Sequence, residues 1–311
     1  MARRSHIVDV SKETPIRKAA RRRSFARRPA WAASLLALSG CTPAGLLTGF
    51  DRLTAADGVR RVAQGEAYGA DPRQKLDVWA PRAAKGEALP VVVFFYGGGW
   101  NSGSRGDYGF AGAAYAGQGF VALVPDYRLV PAVRFPAFVD DGALAVKWAR
   151  DNAARFGGDP KRITLAGHSA GAYNAAMLSL DKRYLQRAGV DPKIIRAAAL
   201  LAAPTDFYPF TEARARQAVG AWPHPAETQP ISFARADAPP MFLAHGSGDR
   251  VVFPHNSRNL AKRLQDLGAP VTLRIYPGAS HVDLASALSG PFRRRVPVLG
   301  ESAAFLHQHS R

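Results

Sequence analysis

Gly167-His168-Ser169-Ala170-Gly171 sets a serine between two glycines, at the point where an apolar run ending Thr164-Leu165-Ala166 gives way to an alanine-rich helical stretch. A serine on a sharp strand-to-helix turn needs neighbours without bulk, and such a turn lifts its hydroxyl clear of the sheet. At its free pKa a serine hydroxyl is a weak nucleophile, so it needs a general base, and the base needs an acid to orient it. Later stretches offer both. HGSGDRVV puts Asp249 just past one predicted strand, and YPGASHVDL puts His281 just past the next. Asp206, in PTDFY, also follows a predicted strand end and stands as a second candidate for the acid. The N–H of Ala170 opens the helix after the serine, where the helix dipole adds positive potential for a developing oxyanion. The chemistry these residue types can do together is acyl transfer.

A second stretch serves the same chemistry. FFYGGGWNSG, from Phe94 to Gly103, follows a buried-strand run and carries three adjacent glycines. Outside a linker, such a run signals a backbone conformation or a close approach that side chains would forbid. It leaves bare amides at the end of a strand, with Tyr96 immediately before them. His168 adjoins the serine and is expected to shape the elbow, while His224, His245 and His255 read as structural or exposed. Asp126, Arg128, Asp140 and Asp141 read as a structural charge network, because buried charges persist only when paired. Asp107 is expected to cap a helix beginning near Tyr108. No His, Cys and carboxylate group has metal-site spacing, so neither a metal nor a cofactor is expected.

The elements that must hold these residues alternate. Residues 74–81, 90–97, 119–128, 162–171, 194–204, 238–249 and 271–281 have the apolar runs and Gly/Pro punctuation of strands. Residues 135–158 and 256–269 carry apolar positions at helical spacing, the first ending at a glycine pair. Strands separated by helix-length segments imply an α/β fold, a mainly parallel sheet with helices on both faces. Residues 205–237 lack a clear period and read as a cap segment over the strand ends. Their aromatics, Phe207, Tyr208, Phe210, Trp222 and Phe233, would line an apolar pocket or form the cap's own core.

The chain order Ser, Asp, His, with the G-x-S-x-G turn and the glycine loop, resembles the α/β-hydrolase superfamily. The likeness is to its carboxylesterase branch related to hormone-sensitive lipase. It runs from about Gln74 to a C-terminal helix near 302–309 and includes Pro125–Leu129 and Gly157–Gly171. In that branch a His-Gly-Gly-Gly loop supplies oxyanion-hole amides. The resemblance therefore implies that Gly98 and Gly99 are donors together with Ala170, and that Tyr96 takes the histidine's place as a loop brace or packs there. Ser169 would be the nucleophile, His281 the base and Asp249 the acid of a serine esterase acting on a small-molecule ester. The triad does not separate ester from amide, so an amidase, formamidase or peptidase is the alternative. A non-catalytic, lipid-anchored binding protein on a hydrolase scaffold is a further one.

The chain has 311 residues, 47% of them hydrophobic, enough for one large core. Its net charge of +18 is partly a leader effect: the first 40 residues hold ten basic and two acidic side chains. The remaining basic residues are scattered rather than striped with aromatics, so nucleic acid is not an expected partner. RRRSFARRPAWAASLLALSGC, from Arg21 to Cys41, has the basic, apolar and small-residue regions of a signal peptide, too short in its apolar part to span a bilayer. Leu38-Ser39-Gly40-Cys41 resembles the bacterial lipobox, and Arg22-Arg23-Ser24-Phe25 a twin-arginine export signal, with the general secretory route as the alternative. These features predict a removed signal peptide over 1–40, a lipidated Cys41 and a protein exported and anchored to the cell envelope. The chain's single cysteine excludes an intramolecular disulfide. Residues 41–74 read as a tether and edge strand, and 75–311 as the catalytic domain.

Overall fold

The structure, a computed structural model, describes residues 43–54, 58–82 and 86–311. Cys41 and the expected signal peptide lie outside the described residues. The strands are β1 (Val59–Ala67), β2 (Lys75–Pro81), β3 (Leu89–Phe95), β4 (Val121–Pro125), β5 (Gly158–His168), β6 (Ile195–Leu201), β7 (Met241–Gly246) and β8 (Val271–Tyr276). The helices are α1 (Pro43–Thr54), α2 (Gly109–Gly117), α3 (Ala137–Asn152), α4 (Ala170–Leu180), α5 (Lys182–Arg187), α6 (Ala213–Val219), α7 (His255–Asp266), α8 (His281–Ser286) and α9 (Val298–His309).

The strands form one sheet in the order β1-β2-β4-β3-β5-β6-β7-β8. β1 pairs antiparallel with β2, and β2 with β4; every pairing from β4 to β8 is parallel. Parallel strands covered on both faces must be apolar throughout rather than alternating. β3 meets this with Pro-Val-Val-Val-Phe-Phe fully buried, and β7 with Met241 to Gly246. Helices α2 and α9 touch one another and the sheet, while α3, α4 and α5 form a second contacting group. Two helical layers thus enclose the sheet, and an open sheet of this kind presents its binding crevice beyond the carboxyl ends of the parallel strands.

The N-terminal region departs from the sequence reading. β1 is the edge strand expected within 41–74, but residues 43–54 form a helix rather than a tether. The cause lies in a hydrogen-bond exchange. Thr48 Oγ1 donates to the carbonyl of Asp107 (2.6 Å) and accepts from the N–H of Phe110 (3.2 Å), so α1 is pinned to the start of α2. This also corrects the expected role of Asp107. No side chain of Tyr108, the residue at the N-cap of α2, caps the helix, and the Asp107 carboxylate accepts instead from Ser104 Oγ (2.9 Å).

The expected charge network divides in three. Arg128 holds Asp141 through two guanidinium nitrogens (2.7 and 3.0 Å), and Gln74 adds a third donor (2.7 Å). Arg105 bridges Asp77 (2.9 Å) and Asp126, while Asp140 pairs separately with Arg187 (2.6 Å).

Candidate active site

The ends of β3, β5, β7 and β8 deliver the residues singled out in the sequence. Phe95 of β3 lies in register with Gly167 of β5, so the glycine loop and the serine turn emerge side by side. Asp249 follows the end of β7 by three residues and His281 the end of β8 by five.

Ser169 sits between β5 and α4 at φ 55° and ψ −123°. Such a conformation costs a residue with a Cβ about 1–3 kcal/mol, so its surroundings must enforce it. The Ser169 N–H donates to the carbonyl of Leu201 (2.9 Å), and the two flanking glycines let the turn close. A Cβ on Gly167 would lie 2.6 Å from the Gly171 backbone, and one on Gly171 would lie 2.1 Å from the carbonyl oxygen of Phe95. Larger residues at either position would force the serine away from the loop. Ala170, as the first residue of α4, has an N–H with no carbonyl four residues back to accept it.

His281 is the first residue of α8, whose start is fixed by a capping box. Ser280 Oγ accepts from the N–H of Asp283, and the Asp283 carboxylate accepts from the N–H of Ser280. The imidazole bridges the site: Nδ1–H donates to Asp249 Oδ2 at 2.7 Å, and Nε2 accepts from Ser169 Oγ at 2.9 Å. The carboxylate partner fixes this tautomer.

Asp249 is buried. Its Oδ1 accepts from the N–H groups of Val251 and Val252, both at 2.9 Å. His245 stands behind it, with Nε2 3.3 Å from Asp249 Oδ2 and Nδ1 accepting from Ser257 Oγ at 2.7 Å. Burial pushes the Asp249 carboxyl upward, but hydrogen bonds from His245 and His281 and the His281 charge outweigh it and hold the group well below the usual carboxylate range. Asp206, the other candidate, is not brought to the imidazole. Its Oδ2 accepts from Asn259 Nδ2 (2.7 Å), and its carbonyl accepts from His255 (3.1 Å).

His168 is buried against His281, ring centroids 4.7 Å apart. Its Nε2–H donates to the His281 carbonyl at 3.0 Å, leaving Nδ1 unprotonated and without a hydrogen-bond partner. Burial and the neighbouring His281 push its pKa down to about 3.

Tyr96, fully buried, is held on all sides. Its hydroxyl donates to Asp126 Oδ1 (3.0 Å) and accepts from Arg73 Nη2 (2.9 Å), and its ring stacks on Tyr127 (4.7 Å) and Tyr108 (5.6 Å). Tyr127 in turn donates to the Tyr96 carbonyl (2.8 Å), directly ahead of the glycines. Gly98 and Gly99 both have positive φ, 131° and 59°, which the bends of this loop require. Ser102 Oγ donates to the Gly98 carbonyl (2.9 Å), which also accepts from the N–H groups of Asn101 and Ser102 (3.2 Å each).

Ser169, His281, Gly98, Gly99 and Ala170 all line one cavity of about 1070 Å³. Its walls divide the cap aromatics. Phe207 and Tyr208 line it, with Phe207 against Trp100 (6.4 Å) and Tyr173 (5.9 Å). Phe210 packs on both (5.6 and 5.2 Å), Trp222 packs on Phe135 (5.1 Å), and Phe233 lies under the Arg183 guanidinium (5.2 Å). Sequence reasoning missed Ala44 and Leu47 of α1, which also form part of the wall. It likewise missed Arg73 and Arg105 beneath the glycine loop, since contacts between such distant segments have no local signature.

Sheet order, elbow and cavity define an α/β-hydrolase. The BD-FAE family matches residues 76–264, and the chain belongs to that family, within the esterase branch of the fold. Among its relatives are the esterases LipC and LipQ of Mycobacterium tuberculosis. LipC is 32% identical over 78% of this chain and LipQ 31% identical over 71%. The chain covers 64% and 57% of those proteins, less than two thirds of either. Among solved structures, esterase 2 of Thermogutta terrifontis aligns at a TM-score of 0.67 and 27% identity, over 79% of this chain and 94% of that one. A carbohydrate esterase from gut microbiota shares the fold, with a TM-score of 0.69 at 20% identity, over 82% of this chain and 98% of that one.

Proposed function

We propose that this protein is a serine carboxylesterase working through an acyl-enzyme. The observation that carries the reading is the continuous hydrogen-bonded path from Ser169 Oγ through His281 to Asp249, at 2.9 and 2.7 Å, opening onto a cavity beside the glycine loop. Ser169 Oγ attacks the ester carbonyl carbon while His281 Nε2 takes its proton. The N–H groups of Gly98, Gly99 and Ala170 receive the oxyanion, and Asp249 steadies the imidazolium. Collapse of the tetrahedral intermediate breaks the bond to the alkoxide, which recovers the proton from His281. Water, activated by the same imidazole, then releases the acid and restores Ser169. Tyr96 braces the glycine loop. The names of the relatives favour esters over amides, and the apolar walls favour an uncharged acyl or aryl group.

We also propose that Cys41 is lipidated after removal of residues 1–40, anchoring the protein to the envelope. This rests on the basic, apolar and Leu-Ser-Gly-Cys pattern of residues 21–41.

A panel of acyl esters of graded chain length, run beside aryl amides and formamides, tests the activity. Ester turnover well above amide turnover is the expected result. Amide or formamide cleavage without ester cleavage would replace the reading with the amidase alternative.

A further inference from the structure

Among the described residues, the large apolar side chains that remain exposed are Leu46, Tyr208, Val251, Phe253 and Val282. They are not scattered. Tyr208, Val251, Phe253 and Val282 all line the cavity that holds Ser169, and Leu46 stands on α1 between Ala44 and Leu47, which line it too. Four separate segments of chain thus bring their exposed apolar residues to one rim, with exposures of 39 to 63%. Single exposed apolar residues need no explanation, but a contiguous apolar surface bordered by polar groups marks an interaction site.

The border has a sign. On the rim segments 206–216, 250–253 and 282–295, six arginines stand with three carboxylates, Asp206, Glu212 and Asp283, and Asp107 also lines the cavity, so the border is basic by two charges. Arg214 and Arg295 line the cavity beside the apolar residues. An apolar patch that sinks into the acyl boundary, ringed by arginines that meet acidic headgroups, is the chemistry of a protein face lying on an anionic bilayer. The chain's geometry points the same way. α1 begins at Pro43, two residues after Cys41, and contributes to the cavity wall itself. The start of the described chain at Pro43 therefore lies beside the mouth and not on the opposite side of the sheet.

We propose that the cavity rim formed by Leu46, Tyr208, Val251, Phe253 and Val282 docks on an anionic lipid bilayer, so that lipophilic esters enter the site from the membrane. The rim would dock whether or not Cys41 is acylated; only the entry of esters rests on the esterase reading.

The test measures depth, not turnover, so its failure is separate from failure of the proposed activity. The chain has one cysteine, and Cys41→Ser leaves a background in which a single nitroxide can be placed. Labels at Phe253→Cys and, independently, Val282→Cys report the rim. Lys161→Cys, near the start of β5 at the opposite end of the strands, reports the far side. The full chain is mixed with vesicles of phosphatidylcholine and phosphatidylglycerol at 3:1, and separately with phosphatidylcholine alone. On the anionic vesicles both rim labels should gain access to oxygen and lose access to a water-soluble nickel chelate, while the label at 161 stays in water. On neutral vesicles the shift should shrink. Rim labels that remain in water while the chain sediments with the vesicles would overturn the proposal. So would equal shifts at 253 and 161, a chain that does not bind the vesicles, or rim labels immobilised without lipid, which would indicate a protein partner or a second copy.

Discussion

The Nε2–H of His168 donates to the backbone carbonyl of His281 at 3.0 Å, tying the residue before the candidate nucleophile to the candidate base across 113 residues of chain. Through this bond the elbow and the β8–α8 loop are held as one unit, and the separation of Ser169 Oγ from His281 Nε2 depends on both. His168→Phe should keep the ring's bulk and lose the donor. Its kcat should fall about tenfold, equivalent to ~1.4 kcal/mol and near the upper end for one net hydrogen bond, with KM little changed. His168→Gln, which keeps a donor, should recover most of the loss. Equal kcat values for the parent and the Phe variant would show that the bond positions nothing.

The same residue predicts acid sensitivity. In the folded chain the His168 pKa is lowered to about 3, whereas in the unfolded chain it returns to its ordinary value of 6.5. Between those values the unfolded state binds the extra proton. The stability His168 contributes is therefore fully present above pH 6.5 and is lost as pH falls toward 3, by up to ~1.4 kcal/mol per pH unit. Asp249 has the same sign, but its contribution is lost only as pH falls through the ordinary carboxylate range and below. Urea midpoints at pH 7 and pH 5 isolate the histidine, and His168→Gln should flatten the difference. A parent protein equally stable at both values would contradict the buried neutral imidazole.

Asp249 and Asp206 are separated by their partners. Asp249→Asn should reduce kcat by about 10⁴, because an amide at that position favours the wrong imidazole tautomer. Asp206→Asn should be mild, since the carboxylate meets Asn259 and not His281. The reverse ranking in steady-state kinetics would transfer the acid to Asp206.

The glycine loop offers a graded pair. Tyr96→Phe removes a hydroxyl bonded to Asp126 and Arg73 and should lower stability by about 1 kcal/mol, because half-exposed Arg73 keeps its backbone acceptors and buried Asp126 keeps Arg105, with a smaller effect on kcat/KM. Gly98→Val should abolish most turnover, since a Cβ there would lie 2.2 Å from the Ser102 carbonyl oxygen. A Gly98→Val enzyme with parental kcat/KM would remove the loop from oxyanion binding.

Much of this was legible in the sequence because β3, β4 and β7 are buried almost throughout and read as apolar runs, and β3, β5, β7 and β8 are each followed within a few residues by a site residue. Gly167 and Gly171 were readable for a steric reason that the structure makes explicit. What escaped depends on pairings between distant segments. α1 carries apolar residues without a long apolar run, and what fixes it is the exchange between Thr48 and the 107–110 turn, which no local pattern announces. Sequence favoured Asp249 over Asp206 as the acid without excluding the latter, because both follow strands, and in the structure it is Asp249 that meets His281. Arg73 and Arg105 are ordinary surface-type residues in sequence and become supports of the Tyr96 loop only through folding.

The mechanism depends most directly on Ser169 as the nucleophile. Intact protein treated with a fluorophosphonate and then digested for mass spectrometry should carry one adduct, on Ser169, and Ser169→Ala should lose both the adduct and essentially all ester turnover while unfolding at the parental urea midpoint. An adduct on another residue, or substantial esterase activity in folded Ser169→Ala, would contradict the mechanism.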